Sequence, residues 1–64
     1  LDYKPAVKLI GQNGNIFNLL GIAKQALIAE GKDERANELQ EVVTTRCKSY
    51  DEALCTIMNY VEVE

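Results

Sequence analysis

The sequence predicts an α+β domain: a short N-terminal strand, a three-helix core and a C-terminal strand. Three observations carry that assignment. Three successive segments repeat their apolar residues at helical spacing. A short apolar-rich run, Val7-Lys8-Leu9-Ile10, ends at Gly11. The last four residues, Val61-Glu62-Val63-Glu64, alternate with period two. An all-α three-helix domain is the alternative, if both end segments are irregular.

Residues 1–6 read as a lead-in, because Pro5 disfavours helix at Lys4 and at itself. Val7 to Ile10 is then assigned as a strand, with Val7 and Leu9 on one face. Gln12-Asn13-Gly14-Asn15 reads as a turn, since Asn and Gly both tolerate positive φ. Asn15 is placed to cap the helix that follows.

The first helix is expected from Ile16 to about Glu30. Ile16, Leu19, Leu20, Ala23, Ala26 and Leu27 share one face, while Asn18, Lys24 and Gln25 lie away from it. Phe17 and Ile28 flank that stripe and widen the apolar surface. Gly21, on the far side, costs about 1 kcal/mol against Ala and marks a close backbone approach. Gly31 is a natural stop.

The second helix is expected from a cap at Asp33 to about Arg46, with Ala36, Leu39, Val43 and Cys47 inward and Glu34, Glu38 and Glu41 solvated. The β-branched run Val42-Val43-Thr44-Thr45 makes its end the weakest part. Ser49-Tyr50-Asp51-Glu52 fits a capping box for a third helix. Its inward residues are Ala53, Leu54, Ile57, Met58 and Val61. The C-terminal tail is placed beside Val7–Ile10, which joins the two ends of the chain.

At 64 residues the chain is one domain, 1–64. Such a chain buries roughly 60% of its unfolded surface. Its 47% hydrophobic and 27% charged residues give a globular balance. A net charge of −3 disfavours a dedicated DNA binder, which must neutralise phosphates. No apolar run approaches the ~20 residues that span a bilayer, and residues 1–10 contain no long apolar block, so neither membrane span nor signal peptide is read. The expected location is the cytoplasm.

The catalytic inventory is thin. There is no histidine, so no Ser–His or Cys–His pair can form within one chain. Ser49, the only serine, is explained by capping. The acidic pairs Asp33-Glu34 and Asp51-Glu52 open helices, where they complement the helix dipole. Glu62 and Glu64 read as a solvated face. Cys47 and Cys55 are read as reduced, half-buried thiols, with a Cys47–Cys55 disulfide as the alternative, and they are too few for a zinc site. The reading is therefore non-enzymatic, with no metal and no cofactor.

The strongest local pattern is Ile10-Gly11-Gln12-Asn13-Gly14, followed by Phe17 and Leu20. It resembles the I-G-x-x-G-x-x-I-x-x-I run of RNA-binding KH domains, whose loop clamps a nucleic-acid backbone. Here the residues between the glycines are the neutral Gln12 and Asn13. Only ten residues precede Gly11, where a KH domain has a strand and a helix. Tyr3, Tyr50 and Tyr60 are candidates for an interface, where tyrosine is enriched.

Over most of its length the chain resembles a group of small uncharacterised bacterial proteins of genomes, plasmids and phage-like elements. Val7-Lys8-Leu9-Ile10-Gly11, Gly14-Asn15, Phe17 and Leu20-Gly21 carry the resemblance at the start. Tyr50-Asp51, Leu54, Thr56, Met58 and Val61-Glu62-Val63-Glu64 carry it at the end. It implies a compact bacterial domain and brings no site residues with it. The expected function is a small interaction module, an accessory protein of a mobile element, that binds a protein partner or itself. The candidate binding residues are Gln12, Asn13, Asn15, Phe17 and Ile28. The alternative is a KH-like nucleic-acid-binding module using the Gly11–Gly14 loop.

Overall fold

The structure, a computed structural model, describes residues 4–64. The order is β1 (Ala6–Val7), α1 (Ile16–Ala29), α2 (Asp33–Thr45), α3 (Tyr50–Tyr60) and β2 (Glu62–Val63). This is the expected strand, three-helix core and strand. The helices dominate, and each strand contributes only two residues. Parallel strands need a long crossover, and here all three helices supply it. Ala6 lies opposite Glu62 and Val7 opposite Val63. The Glu62 N–H donates to the Pro5 carbonyl and the Glu64 N–H to the Val7 carbonyl, each at 2.8 Å.

The N-terminal strand is shorter than the expected Val7–Ile10. The Gln12 N–H turns back to the Leu9 carbonyl at 3.1 Å, with Gly11 at φ +88°. A positive φ at the third position of a turn is what a type II turn requires, and glycine meets it without a Cβ clash. The tight turn is therefore Leu9–Gln12 and not Gln12–Asn15. Neither Asn13 nor Gly14 adopts positive φ. Val7 and Leu9 nevertheless both face the core, as their shared parity predicts.

Asn15 caps α1 as expected: its backbone is extended and its side-chain oxygen accepts the Phe17 N–H at 2.8 Å. Leu19, Leu20, Ala23 and Leu27 are buried, with Ile16 and Ala26 packed at the margin. The helix ends at Gly31, φ +76°. There the Gly31 N–H donates to Ile28 and the Lys32 N–H to Leu27, the two bonds of a Schellman motif. Gly21 does not mark a close approach, because a Cβ built there meets nothing within 4 Å.

Asp33 is not the cap of α2. Lys32 holds that position without a capping bond from its side chain to the helix, and Asp33 and Glu34 fill the first turn. They are placed for the dipole rather than for capping. Ala36, Leu39 and Val43 are buried as predicted, while Cys47 lies beyond the helix end, half-buried against the core. The Thr44 and Thr45 hydroxyls donate back to the Gln40 and Glu41 carbonyls.

Ser49 caps α3 through the Glu52 N–H at 3.1 Å. The return arm of the box is displaced by one residue: Glu52 Oε1 accepts the Lys48 N–H at 2.7 Å. Ala53 and Ile57 are buried and Leu54 is partly so. Met58, expected inward, is 47% exposed. The lead-in to β1 reaches this part of α3 through Lys4 Nζ, which donates to the Met58 carbonyl at 3.4 Å. Val61 leaves the helix for an extended conformation (φ −135°, ψ 155°) and is fully buried, so it both ends α3 and starts the alternation of β2.

Leu27, Leu39, Ile57 and Val61 are the largest side chains fully withdrawn from solvent. Ile57→Val is expected to lower unfolding free energy by about 0.5–1.5 kcal/mol, because one buried methyl is lost. Urea denaturation should show a lower midpoint with an unchanged slope.

Candidate functional site

The start of α1, the end of α2 and the start of α3 meet at one end of the domain. They enclose a groove of about 390 Å³. Its floor is Ile16, Val43 and Ala53, and its rim carries Phe17, Lys48 and Tyr50. Phe17 is 68% exposed and Tyr50 47%. The neighbouring turn presents Ile10 at 74% exposure. Large apolar side chains this open are costly to leave in water, and two of them, Phe17 and Tyr50, line the one groove.

Tyr50 is fixed in place. Its hydroxyl donates to the Gly14 carbonyl at 2.6 Å, which ties the loop before α1 to the first turn of α3. The loop is braced from within. Asn13 Oδ1 accepts the Asn15 N–H at 2.9 Å, and the Asn13 carbonyl accepts from Asn18 Nδ2 at 2.8 Å.

Four of the sequence candidates, Gln12, Asn13, Asn15 and Phe17, are therefore brought to this end, and all are exposed. Asn13 and Asn15 spend their side-chain oxygens on the backbone, which makes them bracing residues of the loop. Ile28 does not join them. It is 42% exposed, but eleven residues further along α1, roughly 16 Å at 1.5 Å per residue. The apolar surplus is thus two separate patches. Sequence reading had Phe17 as a binding candidate and Tyr50 as an interface candidate, but did not bring the two to one groove. The available signal was an aromatic residue directly after a capping serine, which places it on the exposed first turn of a helix.

Both cysteines are free and line a second, shallower groove of about 400 Å³ with Val42, Arg46 and Thr56. Cys47 is half-buried, its Sγ 3.4 Å from Thr56 Oγ1, whereas Cys55 is exposed rather than half-buried. Among the described residues no group of three or more His, Cys, Asp or Glu side chains is placed to hold a metal ion, and no polar or charged side chain is buried. No helix among them is long and apolar enough to cross a membrane.

Of the tyrosines, Tyr3 lies outside the described residues. Tyr60 is half-buried on the opposite flank, under the Arg35 guanidinium at 5.2 Å from the ring centroid. Burial raises its hydroxyl pKa above the ordinary tyrosine value. A hydrogen bond to Glu38 and that carboxylate's charge add to the rise, and Arg35 opposes it.

No family model, curated protein or solved structure matches the chain.

Tyr50→Phe is expected to lower stability by about 0.5–1.5 kcal/mol, the net worth of one hydrogen bond. It should also speed amide exchange at the start of α1, which native-state hydrogen exchange reads directly. For Tyr60 the folded protein holds the proton more tightly than the unfolded chain. The stability this gives is complete below the ordinary tyrosine pKa of about 10 and is lost as pH rises through the folded value. An ultraviolet titration should show a late-ionising component that Tyr60→Phe removes.

Proposed function

We propose that this chain is a small non-enzymatic interaction module that binds a protein partner, or a second copy of itself, through the groove between α1, α2 and α3. The observation that carries this reading is the exposed Phe17 beside the tethered Tyr50 on the rim of an apolar groove. Rigid aromatic side chains around a small pocket are the usual anchors of protein recognition. The hydroxyl tie from Tyr50 to Gly14 reduces the rotamer entropy lost on binding. The resemblance to small proteins of bacterial mobile elements gives the setting: an accessory protein whose effect is exerted through what it holds.

The groove offers little for bond-making. Ser49 Oγ is engaged as a cap, the Cys47 thiol in the lining lies against Thr56 Oγ1, and among the described residues the lining contains no carboxylate to act as a base. The alternative reading, a KH-like nucleic-acid-binding module, places its contacts on Gln12 and Asn13 of the Gly11–Gly14 loop instead.

One experiment separates the two. A photo-crosslinking phenylalanine analogue is installed at position 17, at position 12, and at position 37 on the solvated side of α2 as control. The module reading expects crosslinks to protein from position 17 that survive nuclease treatment and exceed those from position 37. Crosslinks confined to position 12 and lost with nuclease would transfer the function to the loop. Equal labelling from positions 17 and 37 would end the groove reading.

A further inference from the structure

The Asn-Gly pair has a chemistry that neither the fold nor the groove uses. Asn13 is the one asparagine in the sequence followed by glycine. Next to glycine, which has no Cβ to obstruct attack, an asparagine side chain can cyclise onto the following backbone nitrogen. Asn13 and Gly14 are exposed and belong to neither helix nor strand, so ring closure there breaks no ladder and both residues are open to water.

We propose that Asn13 is a site of spontaneous succinimide formation and deamidation, and that the conversion unfastens the loop from α3. The Gly14 nitrogen, having lost its proton to hydroxide, attacks Asn13 Cγ and forms the new C–N bond. Negative charge develops on Asn13 Oδ1. That oxygen already accepts the Asn15 N–H at 2.9 Å, so a donor is bonded to the atom on which the oxyanion forms. The Cγ–Nδ2 bond breaks, and the nitrogen takes a proton from water and leaves as ammonia. Water then opens the ring at either carbonyl. The product carries aspartate or isoaspartate at position 13, and the net change is amide plus water to acid plus ammonia.

The consequence follows from the hydrogen bonds on either side. The Asn13 carbonyl holds Asn18 Nδ2, and the Gly14 carbonyl holds the Tyr50 hydroxyl. An isoaspartyl linkage routes the main chain through the former side chain and lengthens it between these two anchors. Both bonds cannot keep their geometry. This chemistry does not depend on what the groove binds.

The test incubates the full-length chain in mildly alkaline buffer beside a synthetic peptide of residues 9–18 as the unstructured reference. Peptide mapping by mass spectrometry follows the amide at each asparagine. The expected result is conversion at position 13 in the folded chain within about tenfold of the peptide rate, a barrier difference below about 1.4 kcal/mol, while the remaining asparagines keep their amides. Gly14→Ala should suppress it without unfolding the protein, since a Cβ there meets only the Tyr50 hydroxyl at 3.6 Å. A folded chain that keeps its Asn13 amide while the peptide converts would overturn the proposal. So would purified isoaspartyl protein whose loop and first α1 turn exchange amide hydrogens no faster than the parent.

Discussion

Leu27, Leu39 and Ile57 meet with Val61 in the centre of the molecule, one from each helix and one from the link into β2. Everything else is arranged so that these four can leave water together. A chain of this length has one chance to do so, and neither of its cysteines is paired to lessen the entropy of unfolding. Small residues make the approach possible. Ala23, Ala36 and Ala53 occupy the helix faces where the backbones draw near, and Ala23 and Ala36 are completely covered. Polar groups are kept out of this centre, which leaves burial to apolar contact alone.

Most of this was readable from residue types. The helical stripes of α1 and α2 and the caps Asn15 and Ser49 are local signals, settled within a turn or two of chain. The misreadings have a shared cause: two local solutions competed and tertiary context chose. Asn13-Gly14 and Gly11 both suit a tight turn, and the close at Leu9–Gln12 uses Gly11 because the chain must leave β1 there. Asp33 suits both a cap and a first turn, and the Schellman motif at Gly31 sets the register that assigns it to the second. Met58 follows Ile57 on the edge of the stripe, and the packing of the three helices leaves that edge open to solvent.

The groove was the part least visible in the sequence, because it is produced by chain direction. The start of α1 and the start of α3 lie at the same end only because α2 runs back between them. Phe17 and Tyr50 are far apart in the chain, and nothing in the sequence pairs them. Each sits on a first turn just after a capping residue, where a large side chain is not covered by its own helix. The up-down-up order then sets them on one rim, and the Tyr50 hydroxyl, reaching Gly14, makes the loop part of the same structure. A bracing network of short polar side chains thus positions an apolar surface without contributing to its contact area.

The parallel pairing of β1 and β2 also decides how the domain carries mechanical load. Because the strands point the same way, a pull outward from the N-terminal side of β1 and the C-terminal side of β2 slides one along the other. The bonds from Glu62 to Pro5 and from Glu64 to Val7 then bear force simultaneously, in shear, instead of opening one at a time as in a hairpin pulled from its free ends. The helices between them stay slack until that short ladder gives way.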